Sequence, residues 1–198
     1  VIVDNGLGFG AGVTAATLGG LSGANAISLT NSDPLPVTLS VGNNNANTTY
    51  SGVLSGTGGS LTKIGTGTLT VTGANSYTGG TIVNGSTLII DLDEALGAVP
   101  GVADADNVIL DGATLRSGPT SLGTSRGITL AGGGGVLSAS SGTVNVNGKI
   151  TGSGGLIISN VGSSDVRSIR VQRHQLGSAL ALAGDGLRHN GRRRWCRC

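Results

Sequence analysis

Six carboxylates, Asp91, Asp93, Glu94, Asp104, Asp106 and Asp111, fall within one short stretch and account for six of the eight acidic residues before residue 161. Oxygen ligands at that density could bind calcium, and paired carboxylates could serve glycosidic chemistry. The spacing suits neither, because the EF-hand loop and the glycine-aspartate nonapeptide of calcium β-rolls are both absent. The stretch 91–107 instead reads as a solvated loop protruding from the body of the protein. A polysaccharide-active site would also need basic groups gathered on one face. Before residue 161 only Lys63, Arg116, Arg126 and Lys149 are available, and they are widely spread.

Other chemistries fail on their residue types. Gly142 to Lys149 has five residues between Gly142 and Gly148 where a phosphate loop has four, and Ile150 stands where the magnesium-binding Ser or Thr would be. It reads as a strand ending in an Asn-Gly turn. Gly6-Leu7-Gly8-Phe9-Gly10 lacks the strand and helix context of a dinucleotide site. Histidine is absent before His174, so no Ser-His-Asp or Cys-His site can be assembled outside the C-terminal segment. Cys196 and Cys198, the only cysteines, supply too few ligands for zinc. Tyr50 and Tyr77 could stack on sugars, but a corner-packing role is the preferred reading. Asn43, Asn44, Asn45 and Asn47 suit a turn or a stacked amide ladder. No catalytic, cofactor-binding or metal-binding residue is assigned, and no cofactor is expected.

The elements that would position any of these groups are short strands. At residues 68–72 Leu69 and Val71 alternate with threonines, the period expected when one face of a strand is buried. Gly73 ends the run. Asn75, Gly79 and Gly80 are expected to take the positive φ of a tight corner. The apolar pair Ile82 and Val83 precedes a second corner at Asn84-Gly85, and residues 88–90 resume the strand. This is one coil of a β-solenoid. A recurrence supports stacking: residues 52–61 return, one residue shorter, as residues 148–156, starting 96 positions later.

Composition agrees. Glycine is 38 of 198 residues with no Gly-X-Y period, aromatics are 2% and charged residues 11%, against roughly 25% charged in typical domains. Short aliphatic runs nonetheless recur, so the low-hydrophobicity, high-charge signature of disorder does not apply. A core without aromatics has to come from stacked coils. At roughly 20–25 residues per coil, residues 1–160 would make about seven. No run of about 20 apolar residues exists to span a membrane as a helix. Val1 is expected to be internal to a longer chain.

The ordered segments Gly65-Thr66-Gly67-Thr68-Leu69-Thr70 and Gly73-Ala74-Asn75-Ser76-Tyr77-Thr78-Gly79-Gly80-Thr81 resemble the passenger-associated transport repeat of bacterial autotransporter passengers. Residues 50–56 are similar to the stretch that leads into that repeat, and residues 95–100, 107–115 and 126–130 to stretches that follow it. The resemblance covers about residues 20–160. It implies an all-β, right-handed parallel β-helix (β-solenoid) fragment, with an up-and-down or sandwich fold as the lesser alternative. It also implies the structural stem of a secreted or surface-displayed passenger from a Gram-negative bacterium, not an enzyme. The expected partners are an outer-membrane translocator barrel of the same longer chain and a host-cell or glycan receptor, with no nucleic acid. An adhesin on a β-helix is the alternative, and a polysaccharide-active β-helix a more distant one. The sequons at Asn47-Thr48-Thr49 and Asn84-Gly85-Ser86 mean little if the source is bacterial, as the resemblance implies.

Residues 161–198 follow another rule. The first 160 residues hold 21 threonines, two arginines and a net charge of −4; the last 38 hold no threonine, eight arginines, both histidines and a net charge of +6. Arg188, Arg192, Arg193, Arg194 and Arg197 with Trp195 could form an anion-binding arm. The preferred expectation is an irregular basic tail, disordered or out of frame, because a further threonine-rich coil was due at that point.

Overall fold

Residues 6–141, 143–160, 168–171 and 182–183 are described by the structure, a computed structural model. Almost every element is a short strand, and the described strands pair in parallel. They stack into walls of a solenoid. The first wall has seven strands: Ala15–Leu18, Thr38–Val41, Ser60–Lys63, Thr81–Asn84, Asp104–Asp111, Arg126–Leu130 and Ile150–Gly152. The second also has seven: Thr48–Tyr50, Thr68–Val71, Thr87–Ile90, Ala113–Ser117, Gly135–Ala139, Leu156–Asn160 and Leu182–Ala183. The coil count expected for residues 1–160 is therefore met by the first wall, while the seventh strand of the second, Leu182–Ala183, lies beyond them.

Leucine, isoleucine and valine repeat at inward positions because the side-chain period of two is kept in register from coil to coil. On the first wall Ala16, Leu39, Leu61, Thr81, Val108, Ile128 and Ile150 lie one above the next. On the second, Leu69, Leu88, Leu115, Leu137 and Ile158 do the same. Along the first-wall row the advance is 20–27 residues per coil. Length thus varies at the corners while the register holds. The core is a continuous aliphatic column joined by Tyr50 and Tyr77.

A third wall is built from strands at both ends only. Leu7–Phe9, Ile27–Asn31 and Leu54–Ser55 form one end, and Ser121–Leu122, Thr143–Val146 and Ser168–Val171 the other. Between them the wall is carried by residues 74–79 and a 3-10 turn at Asp93–Leu96. Backbone bonds run through it: Ser76 N donates to Leu54 O at 2.8 Å, Asn75 N to Glu94 O at 3.0 Å, and Ala98 N to Tyr77 O at 3.0 Å. The gap in the strand stack is the stretch where polar side chains replace aliphatic ones. Among the described residues no helix is long and apolar enough to cross a membrane.

The two copies of the sequence recurrence do not occupy equivalent places. Leu54 stands on the third wall and Leu61 on the first, whereas Ile150 stands on the first and Leu156 on the second. The recurrence marks a reusable strand-glycine-strand corner placed at different vertices. Gly56 and Gly152, aligned within it, both have positive φ, 129° and 105°.

Candidate functional site

Residues 61–90 span more than one turn of the solenoid, and their side chains sort by wall. Leu61, Leu69, Val71, Val83, Leu88 and Ile90 are fully buried, and the intervening threonines face outward except Thr81, which is buried. Of the apolar pair, only Val83 enters the core; Ile82 lies on the outer face. Two glycines set how closely coils approach. A Cβ on Gly65, whose φ is 70°, would meet the carbonyl of Gly42, and one on Gly73 the carbonyl of Gly52. Any side chain at either position would force adjoining coils apart.

Asparagines fasten the unit to its neighbours. In the coil below, Asn45 Oδ1 accepts from Thr66 N at 2.8 Å and Asn47 Oδ1 from Thr68 N at 2.7 Å. Asn44 Oδ1 accepts from Ala46 N within its own turn. The asparagine run is thus a turn whose amides cap the next coil. Asn75 is not the positive-φ corner that its type suggested. It is 3% exposed, accepts from Leu54 N at 2.8 Å through Oδ1 and donates from Nδ2 to Ala95 O at 2.8 Å. One side chain bridges three successive levels of the third wall.

Above Asn75 lies a buried polar cluster around Arg126, which has no exposed surface. Its Nε donates to Asp93 Oδ1 at 2.6 Å, Nη1 to Leu96 O at 3.2 Å and to Asn107 Oδ1, and Nη2 to Gly97 O at 2.8 Å. Asp93 Oδ2 accepts from Gly123 N at 2.9 Å. Tyr77 and Thr81 share a hydroxyl bond of 2.6 Å, and Thr81 donates to Leu96 O at 3.0 Å. The guanidinium fork thereby satisfies the carbonyls of a turn that has no strand partner. Arg126, Ile128 and Leu130 share one face of their strand, so the alternation itself marks Arg126 as inward.

This corrects the reading of 91–107 as a solvated loop. Asp93 and Asn107 are buried members of the cluster, and Asp104–Asp111 is a first-wall strand. Asp91, Glu94 and Asp106 are exposed, Asp104 is half-buried, and the protruding part shrinks to residues 99–103, with Val102 79% exposed. Asp111 Oδ1 accepts from Gly133 N at 2.8 Å, closing a corner. Among the described residues no group of three metal-ligating side chains converges.

Lys63 and Arg126 are interior, so they cannot serve a polysaccharide on the surface; Lys149 is exposed and Arg116 half-buried. Lys63 occupies an inward position in register with Val41 and Val83, and its Nζ donates to Ile64 O at 2.6 Å. Tyr50 and Tyr77 are buried, as corner packing requires and sugar stacking does not allow. Leu7–Phe9 is a strand, and Thr143–Val146 is the strand read at the false phosphate loop; Gly142 lies outside the described residues. So do His174, Arg188, Arg192, Arg193, Arg194, Trp195, Cys196, Arg197 and Cys198. Within the basic segment, Ser168–Val171 pairs in parallel with Thr143–Val146, and Leu182–Ala183 with Leu156–Asn160.

The buried titratable groups predict an alkaline stability profile. Burial pushes the Tyr50 phenol, which donates to Asn25 O at 2.6 Å, up to about 12. Its stabilising contribution is complete below pH 10 and is lost as pH rises from 10 through 12, by at most about 2 kcal/mol after allowance for screening. Burial raises Tyr77 as well, with the same sign. Burial lowers Lys63, so its contribution has the opposite sense: it is lost as pH falls through the depressed value. Thermal melts from pH 7 to 12 are expected to rise and then fall. Tyr50→Phe should reduce the fall, and Lys63→Met should flatten the rise and raise the melting temperature at pH 7. A Lys63→Met melt no higher than wild type would show that the amine is not penalised.

Comparison with known proteins agrees with the geometry of this unit. Residues 61–90 match the family described as Passenger-associated-transport-repeat. Over 92 residues the chain is 44% identical to the adhesin BmaC autotransporter of Brucella suis biovar 1 (strain 1330), a stretch that covers 46% of this chain and 2% of that protein. The match therefore spans only a small part of the relative's length. No solved structure matches. The close-stacked glycines, the bridging asparagine and the alternating threonines thus lie in the segment that matches the passenger-associated transport repeat, within a β-solenoid part of which is similar to an autotransporter adhesin.

Proposed function

We propose that residues 1–160 are part of the stem of an autotransporter passenger, secreted from or displayed on a Gram-negative cell. The observation that carries this reading is the unbroken parallel register from Ala16 to Ile150, interrupted by no competing core. A chain emerging from a pore can add one coil to the coil already folded, and each addition buries apolar surface and blocks return. The translocator barrel of the same longer chain is the partner this requires. The test is surface display of the segment fused to such a barrel, read by protease accessibility on intact cells. Gly73→Val, which blocks stacking inside the repeat, is expected to lower display several-fold. Display at the wild-type level from a variant whose purified form has lost its cooperative melt would overturn the export role.

An adhesive role is the second reading, favoured by the exposed tip at residues 99–103 and by the relative named as an adhesin. Val102→Ser with Asp104→Ala and Asp106→Ala should reduce cell attachment several-fold without moving the melt. Unchanged attachment would count against that loop.

A further inference from the structure

The outer face of the second wall holds a cation with no partner. On strand Ala113–Ser117 burial alternates, with Ala113, Leu115 and Ser117 inward and Arg116 outward. Its neighbours in register are Ile89 on one side and Ser138 on the other. Arg116 Nε is buried with no hydrogen-bond partner, and so is Ser138 Oγ, in a residue only 3% exposed. Among the described residues the one ion pair is Arg126 with Asp93, so Asp91, which lies beside Gly118 at the same edge, does not neutralise Arg116. Ser86 Oγ and Ser117 Oγ are also unpartnered, but they lie away from this face or point inward.

A guanidinium N–H and a hydroxyl left unpaired on adjacent strands, about 4.8 Å apart along the stack, are costly unless a ligand takes them up. Both are donors suited to an oxyanion, and the guanidinium adds charge and a directed fork. Beside them on the same face runs a row of partly exposed hydroxyls, Thr68, Thr87 and Thr114, in register at the same spacing. A charge next to a hydroxyl ladder matches a ligand that is itself polyhydroxylated and anionic.

We propose that Arg116 and Ser138 form a subsite for the carboxylate or sulfate of an acidic oligosaccharide lying along the outer face of the second wall. The site goes beyond the stem reading and does not depend on it. Failure of surface display would leave the site intact, and absence of saccharide binding would leave the stem.

The experiment is fluorescence anisotropy with the full 198-residue chain and labelled oligogalacturonate, with dextran sulfate and neutral dextran as the other two arms. Binding is expected to one or both anionic polymers and not to neutral dextran, and the preferred arm separates carboxylate from sulfate. Arg116→Gln should weaken binding about tenfold or more, and Ser138→Ala several-fold, with the thermal melt unchanged. If Arg116→Gln shifts the melt, Arg116→Lys replaces it, keeping the charge but losing the fork, and should still bind several-fold more weakly. The basic C-terminal segment is controlled by the triple variant Arg192→Gln, Arg193→Gln, Arg194→Gln, which should bind like wild type. No binding to either anionic polymer, full affinity in both Arg116 variants, or loss confined to the triple variant would each overturn the proposal.

Discussion

Replacing Arg126 by methionine is expected to cost the solenoid about 3–5 kcal/mol, the loss typical when one partner of a buried ion pair is removed. The change fills a similar volume, so the effect isolates electrostatics from packing. It strands the Asp93 carboxylate and frees the carbonyl of Gly97, which Arg126 alone among the described side chains serves, while Leu96 O keeps its bond from Thr81. Arg126→Lys should recover little, because one ammonium cannot reproduce the fork that reaches Asp93, Asn107 and two carbonyls together. Adding Asp93→Leu to Arg126→Met should return part of the loss, since no buried charge then remains. Urea titrations of the three variants read these differences directly. A loss below about 1 kcal/mol for Arg126→Met would mean that the cluster is solvated in solution.

Asn75→Ala is expected to be nearly as damaging. It removes the acceptor for Leu54 N and the donor for Ala95 O, both inside the stack. Each buried backbone group left unpaired costs about 1–3 kcal/mol, so the loss should fall near 2–5 kcal/mol. Asn75→Asp keeps the acceptor but buries a charge opposite a carbonyl, and should do no better. Asn47→Ala is the contrast: its bond to Thr68 N is exposed to water, and its loss should stay below about 1 kcal/mol. Equal melts for Asn75→Ala and Asn47→Ala would refute the bridging role.

These two residues also show where the sequence speaks and where it falls silent. Leu69 and Val71 announce their strand because a period of two needs only local information. Gly73 and Gly85 announce corners for the same reason. Asn75 looks like one more corner residue, since its type is common in turns. Its actual partners, Leu54 and Ala95, sit about 20 positions away on either side. Nothing local identifies which coil lies above or below. Asp93 likewise meets Arg126 across 33 positions of chain. Yet a signal existed for the arginine: Arg126, Ile128 and Leu130 alternate like any buried row, as Leu61 and Lys63 do. A charged residue at an inward position of an otherwise aliphatic strand points to a buried partner, and the acidic stretch was the place to seek it. The Arg116 pair needed the structure, because Ser138 becomes its neighbour only once the register of the second wall is known.

The constant register with variable coil length has a mechanical consequence. A load applied between the ends of such a chain is met by one coil at a time, since each is held mainly by its two neighbours. Peeling should therefore proceed in discrete steps, each releasing 20–27 residues, or on the order of 70–90 Å of contour. The tether would lengthen like a ratchet strap paying out notch by notch, with the step that breaks the Arg126 cluster set to yield at the highest force.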